Sequence, residues 1–210
     1  MNEKLAIALL SIIYLVGLVG IGFDIDPRLI FLTPLNLLIS MIVISLYDTS
    51  GWKTFAVFAA LIFSLGYGIE VLGVHTGKIF GEYSYGEVLG LKLWDTPLMI
   101  GINWLLLVYT AGNLVNWVAG KIASIWKIIA GSTLLLLLDL LIEPIAIQWG
   151  MWTWADIEIP TQNFIAWWLI AFVMMGLYYL LMNNKVNKVA AAVFIIQVIF
   201  FGILNLSKYF

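Results

Sequence analysis

Cysteine is absent from these 210 residues, and histidine occurs once, as His75. The first absence excludes disulfides, thiolate metal sites, iron–sulfur clusters and a cysteine nucleophile. The second removes a histidine-rich di-iron site and argues against zinc, which generally takes several imidazoles. Charge is scarce as well: Asp, Glu, Lys and Arg make up 10% of the chain, the formal net charge is −2, and no basic run occurs. That balance argues against a nucleic-acid partner. No glycine-rich fingerprint follows a strand-like segment, so a Rossmann flavin or nicotinamide site has no support. Chemistry, if there is any, falls to carboxylates, water, aromatics and amides. No metal and no cofactor is expected.

What the chain has in abundance is apolar surface: 63% of its residues are hydrophobic and its mean hydropathy is +1.06. A soluble domain of this size has no use for so much; a bundle solvated by lipid does. Apolar runs of spanning length occur at roughly 4–23, 28–46, 54–74, 96–118, 125–147, 163–182 and 188–206. The expected fold is all-α: a polytopic bundle of about seven transmembrane helices, forming one integral membrane domain over residues 1–210. The first run follows Lys4 and superficially resembles a signal peptide. Its length and its lack of a small-x-small cleavage site favour a retained first helix. Asp24-Ile25-Asp26-Pro27, Asp48-Thr49-Ser50-Gly51 and Asn183-Asn184 read as turns. Pro27 and Pro97 sit near helix starts, where proline is tolerated; Pro34 and Pro144 are expected to kink or end theirs.

Two longer connections stand apart. His75–Asp95 carries four glycines with Phe80, Tyr83, Tyr85 and Trp94. Gln148–Gln162 reads Q-W-G-M-W-T-W-A-D-I-E-I-P-T-Q. Long loops in compact folds are more often functional than short ones. By span parity both loops share one membrane face with the C-terminal ends of the third and fifth spans. Lys4, Lys53, Lys121, Lys127, Lys185 and Lys188 fall on the opposite face, against Arg28, Lys78, Lys92 and Lys208 on the loop face. This split favours a cytoplasmic N-terminus in the cell membrane.

Three acids lie inside or at the ends of apolar runs: Glu70, Asp139 and Glu143. Intramembrane carboxylates are costly and ordinarily face a bundle interior or cavity, which makes them functional candidates. Asp139 and Glu143, spaced i and i+4, share a helix face about 6 Å apart along the axis. A neutral carboxylic acid beside an ionised one is what general acid–base chemistry requires. The plainer role is hydrogen bonding to other helices, or lining a wet vestibule. Gly66 and Gly68 precede Glu70 and would let another helix approach closely. Asp95-Thr96-Pro97 reads as a helix cap. His75 reads as a capping or hydrogen-bonding residue before a catalytic one. Trp149, Trp152, Trp154, Trp167 and Trp168 suit an interfacial belt, and equally an apolar pocket whose π-faces stabilise a cation. Asn103, Asn113, Asn116, Asn163 and Gln197 read as interhelical hydrogen-bonders.

The stretch E-V-L-G-V-H-T-G-K-I-F-G-E-Y-S-Y-G-E-V-L-G (Glu70–Gly90) resembles the membrane carotenoid-biosynthesis family that includes CruF-type carotenoid hydratases and bisanhydrobacterioruberin hydratases. A second block agrees in order: D-L-L-I-E-P-I-A-I-Q-W-G-M-W-T-W (Asp139–Trp154), then I-P-T-Q-N-F-I-A-W-W (Ile159–Trp168). Two departures are Glu143, where Asp-Pro is the family's usual pair, and a loop before Ile159 that is short of aromatics. The resemblance implies addition of water to the terminal double bond of an acyclic carotenoid. Glu70, Asp139 and Glu143 would be the catalytic carboxylates, with Asp139 or Glu143 as acid and Glu70 positioning water. Tyr83, Tyr85, Trp104, Trp149, Trp152, Trp154 and Asn163 would bind substrate. The implied partners are the carotenoid, membrane lipid and other enzymes of the same pathway.

Three alternatives fit the same residues. A cyclase or isomerase would also begin by protonating an alkene. Asp139-x-x-x-Glu143 superficially resembles the diphosphate–metal motif of a prenyltransferase, but no second Asp-rich motif accompanies it and cations are few. A proton-coupled transporter could use the acids as a relay; an internal repeat, which would favour it, is not evident.

Overall fold

A computed structural model describes residues 2–156, 158–182 and 185–207. The Asn183-Asn184 turn and Lys208 lie outside the described residues. Helices α1 (Glu3–Gly22), α2 (Thr33–Ser45), α3 (Trp52–Thr76), α4 (Met99–Ala119), α5 (Ser124–Gln148), α6 (Thr161–Leu181) and α7 (Lys188–Ser207) make up the bundle. A 3₁₀ turn, Pro27–Leu32, precedes α2 and completes its span, giving seven segments among the described residues that are long and apolar enough to cross a membrane. The protein is therefore a multi-pass membrane helix bundle.

The helix ends fall where backbone chemistry puts them. Asn2 caps α1 by accepting the amide of Lys4, and Asp26 caps the 3₁₀ turn, with Pro27 opening it. Pro34 stands in the first turn of α2, so it divides that span into a 3₁₀ and an α portion and kinks no continuous helix. Pro144 lies within α5, which continues to Gln148. The fourth span starts later than its apolar run suggests. Pro97 belongs to a two-residue strand, and α4 begins at Met99 with no side-chain cap.

Helix α4 is the hub. In its most apolar window 78% of residues are buried, against 28–39% for the other six spans. It is also the least apolar of the seven, because it contacts protein on all sides and can carry Asn103, Thr110, Asn113 and Asn116. The outer helices turn side chains such as Leu5, Ile12, Val16, Leu35 and Leu169 to the exterior, the faces a bilayer would solvate. At the end remote from the long loops a polar cluster ties the helices. Tyr109 donates to Asp48 Oδ2 (2.8 Å), Asn187 Nδ2 to the Ile44 carbonyl (2.8 Å), and Lys127 Nζ to Asn116 Oδ1 (3.1 Å).

Both long connections carry short strands: β1 (Tyr83–Tyr85), β2 (Lys92–Leu93), β3 (Thr96–Pro97) and β4 (Trp152–Trp154). β2 and β3 form a hairpin closed by Trp94 and Asp95, whose φ angles are 49° and 57°. Positive φ at both central residues is the geometry of a type I′ turn, which matches the twist of the flanking strands. Asp95 is thus a turn residue and caps no helix, contrary to the reading of Asp-Thr-Pro as a helix start. β1 pairs antiparallel with β4, joining the two connections across the mouth of the bundle.

Candidate active site beneath an aromatic ribbon

The pairing of β1 with β4 sets the site. Residues two apart on a strand point to the same face. Tyr83 and Tyr85 on β1, and Trp152 and Trp154 on β4, therefore all turn inward. Ser84 and Thr153 face out and are exposed. The register places Tyr83 opposite Trp154 and Tyr85 opposite Trp152. Gly86 continues the ladder by donating to the Met151 carbonyl at 2.9 Å. A Cβ there would sit 2.0 Å from the Gly150 carbonyl oxygen, so the close approach of the two connections needs glycine at that position.

The two strands serve different acids. Tyr83 and Tyr85 donate their hydroxyls to Glu70 Oε2 at 2.6 and 2.7 Å, and Trp104 Nε1 donates to Oε1 at 3.0 Å. Trp152 and Trp154 donate their indole N–H groups to Glu143 Oε2 at 3.0 and 3.2 Å, while Asn163 Nδ2 donates to Oε1 at 3.2 Å. Each glutamate accepts three hydrogen bonds in the network, donors that favour the carboxylate form. Burial first, and the Glu70 carboxylate second, raise the pKa of Tyr83 above the ordinary phenol range; the same two causes raise Tyr85. Both phenols therefore keep their protons and act as donors.

Asp139 is different. Asn163 Nδ2 reaches its Oδ2 at 3.5 Å, but Oδ1 is buried with no hydrogen-bond partner. A buried ionised oxygen left bare would cost several kcal/mol, at the level of about 1–3 kcal/mol even for a neutral polar group. A neutral carboxyl would lower that cost, and Asp139 borders a cavity.

All three acids border one cavity of about 30 Å³, together with Tyr83, Tyr85, Trp104, Trp152, Trp154 and Asn163. That volume accommodates a water molecule, for which roughly 10–15 Å³ of such space suffices. Glu70, Asp139 and Glu143 are 4%, 1% and 2% exposed, so none of them faces lipid or bulk solvent. Gly66 makes the α3–α4 contact possible, since a Cβ there would lie 2.5 Å from Trp104. Gly68 has open space and plays no such part. Trp104 in turn stacks on Trp167, ring centroids 4.1 Å apart and 23° between planes. Among the described residues no group of three His, Asp or Glu side chains is arranged to hold a metal ion.

Other expected residues lie elsewhere. Trp149 ends α5 before the chain reverses at Gly150 (φ 64°), and it borders a separate pocket with Asp24, Gln148 and Ser207. Trp168 packs on Phe172 and donates to Thr133, on the outside of α6. His75 belongs to the last turn of α3, where Nδ1 meets the Val71 carbonyl at 2.9 Å and Nε2 stands 3.6 Å from Asp95. Residues not expected as lining also border the cavity, among them Phe80, Ile100, Asn103 and Ile142. Asn103 was legible as a polar residue in a span; the placement of Phe80 depends on how its loop folds.

The chain matches the family model described as "Carotenoid biosynthesis protein" over residues 32–210. A curated relative, the bisanhydrobacterioruberin hydratase of Haloarcula japonica (strain ATCC 49778 / DSM 6131 / JCM 7785 / NBRC 101032 / NCIMB 13157 / TR-1), is 35% identical over 118 residues. That match covers 53% of this chain and 40% of the relative's length. No solved structure gives a significant match.

Proposed function

The chain belongs to the carotenoid biosynthesis protein family, and on that premise we propose that it hydrates the terminal trisubstituted double bond of an acyclic carotenoid, giving a tertiary alcohol. The observation that carries the reading is the unequal treatment of three acids around one cavity. Glu70 and Glu143 are supplied with donors, whereas Asp139 keeps one oxygen bare.

In this mechanism Asp139 is the general acid. Its proton goes to the less substituted alkene carbon, the π pair becomes the new C–H bond, and positive charge settles on the tertiary carbon. The carboxylates of Glu70 and Glu143 and the π-faces of Trp104 and Trp167 stabilise that cation electrostatically. A water held by Glu70 attacks the tertiary carbon, forms the C–O bond and passes a proton to Glu70. Return of that proton through water to Asp139 resets the site. Acid and base come from different helices, α5 and α3, so proton and water reach the alkene from separate walls. General acid–base assistance of this kind is worth about 10²–10⁴-fold in rate.

The ribbon of β1 and β4 caps the acids at the loop end, which we assign to the external face of the cell membrane, with the N-terminus cytoplasmic. The polyene would extend away from the cavity between helices, in contact with lipid.

Expression in cells that make an acyclic carotenoid tests the reading. Wild type is expected to yield a pigment heavier by one water. Asp139→Asn and Glu70→Gln are each expected to abolish conversion while the protein still accumulates in the membrane. Undiminished conversion by both variants contradicts the assigned acids, and a product of unchanged mass contradicts hydration in favour of cyclisation or isomerisation.

A further inference from the structure

The acid cavity does not end at the acids. Ile100, Asn103, Ile142 and Trp152 line it and also line a second, largely apolar cavity of about 80 Å³. Hydration of a hydrocarbon end needs both kinds of space, acids and water on one side and apolar room on the other. The shared wall is where water and alkene would meet.

Helix geometry assembles that wall. Ile100, Asn103 and Trp104 are spaced i, i+3 and i+4 on α4, and Asp139, Ile142 and Glu143 repeat the spacing on α5, so each trio shares one face. On the shared wall Ile100 and Ile142 are apolar, and the Trp152 indole N–H is committed to Glu143. The remaining polar group is Asn103. It is partly buried, and its side-chain amide enters no hydrogen bond among the described residues. That departs from the interhelical bond expected of it. By contrast, Asn113 accepts from the Asn187 amide at 2.8 Å, Asn116 accepts from Lys127, and Asn163 donates to Asp139 and Glu143.

Polar side chains inside a membrane bundle ordinarily find partners, so an uncommitted amide on this wall calls for one. Water is its complement, because an amide both donates and accepts. The acid cavity, about 30 Å³, has room for water at roughly 10–15 Å³ per molecule.

The chemistry gives this position a consequence. A tertiary cation beside a carboxylate has two exits. In one, water adds, forming the C–O bond and passing a proton to Glu70. In the other, a neighbouring C–H bond breaks, its electron pair becomes a C=C bond, and that proton goes to Glu70. The first exit yields the alcohol, the second an isomeric alkene or the starting one. Glu70 serves either exit, so it does not choose between them. A water that donates one hydrogen to Glu70 and the other to Asn103 Oδ1 keeps a lone pair free for the tertiary carbon.

We infer that Asn103 is a water-positioning residue, which commits the cation to capture by water instead of proton loss. This rests on the hydratase reading and deepens it, assigning the choice of product to a residue outside the three acids.

The experiment compares wild type, Asn103→Leu and Asn103→Ala in membranes supplied with an acyclic carotenoid in deuterium oxide, followed at early times by mass spectrometry. Alcohol is counted against carotenoid that has gained deuterium without oxygen, the signature of a cation that lost a proton. Alcohol is expected to dominate in wild type. In both variants the ratio of alcohol to deuterated alkene should fall ~10-fold, the factor that one ~1.4 kcal/mol hydrogen bond supplies, while the sum of the two stays within about threefold. Where only one variant accumulates in the membrane, its ratio decides. An unchanged ratio overturns the assignment and leaves the hydratase reading intact. Equal loss of both products, or failure of both variants to accumulate, makes Asn103 a packing residue and also overturns it. A wild type that forms no alcohol overturns the hydratase reading, and this assignment with it.

Discussion

Tyr83 and Trp154 stand directly opposite one another in register, their rings 5.1 Å apart, yet they serve different acids. The Tyr83 hydroxyl donates to Glu70 on α3, and the Trp154 indole to Glu143 on α5. One cross-strand pair therefore fixes the placement of two buried carboxylates from helices that reach the cavity separately. The ribbon is the element that ties Glu70 of α3 to Glu143 of α5.

Loss of the phenols should be visible in the pH dependence of stability. Burial and the Glu70 charge raise Tyr83 and Tyr85 above the unfolded phenol value of about 10. Above that pH the unfolded chain binds fewer protons than the folded one, so stability falls as pH rises. The contribution is complete below about pH 10 and disappears as pH climbs toward the folded values. The melting temperature in detergent is expected to decline above pH ~10, and less steeply in the Tyr83→Phe/Tyr85→Phe variant. Equal slopes for the two proteins would contradict the arrangement. At neutral pH the same variant should be less stable by about 1–3 kcal/mol per hydrogen bond lost to the buried carboxylate.

The tryptophans separate by strand position. Trp152→Phe keeps a ring and removes one donor to Glu143, and conversion is expected to fall at least ~10-fold, a loss of about 1.4 kcal/mol. Trp149→Phe touches neither acid nor cavity and should stay within about twofold of wild type. Pigment analysis of the two variants side by side checks this, and a reversed order would place the wrong aromatic in the site.

Gly66 is a packing position with a consequence at the acid. Gly66→Val would drive side-chain atoms into Trp104, whose indole serves Glu70. Overpacking of this kind costs about 1–3 kcal/mol. Gly68→Ala enters open space and should cost little by sterics. Thermal denaturation and conversion measured on both variants test the contrast; equal damage would show that Trp104 is not held by the α3–α4 contact.

The spans were legible within a few residues because the bilayer sets their length and composition, and the acids were legible because a charge inside an apolar run is conspicuous. The ribbon was not. Tyr83 and Trp154 lie far apart in sequence, and a three-residue strand is too short to declare itself by periodicity, even though Y-S-Y and W-T-W both alternate. Trp149 looked equivalent to Trp152 and Trp154 until the reversal at Gly150 separated helix from strand. Asp95 looked like a cap because Asp-Thr-Pro is a frequent helix start; the long-range fold of its loop made it half of a tight turn instead. Which acid stays bare depends on donors from four different elements, and no local signal reports that.

The most direct test of the central claim is the isotopic origin of the atoms added to the carotenoid. With the protein in membranes, conversion in water enriched in oxygen-18 and deuterium is followed by mass spectrometry of the product. Addition across the alkene places one oxygen from water on the tertiary carbon and one solvent-derived hydrogen on its neighbour, and Asp139→Asn yields neither. An oxygen that comes from molecular oxygen, or a product that gains deuterium without gaining oxygen, contradicts the account.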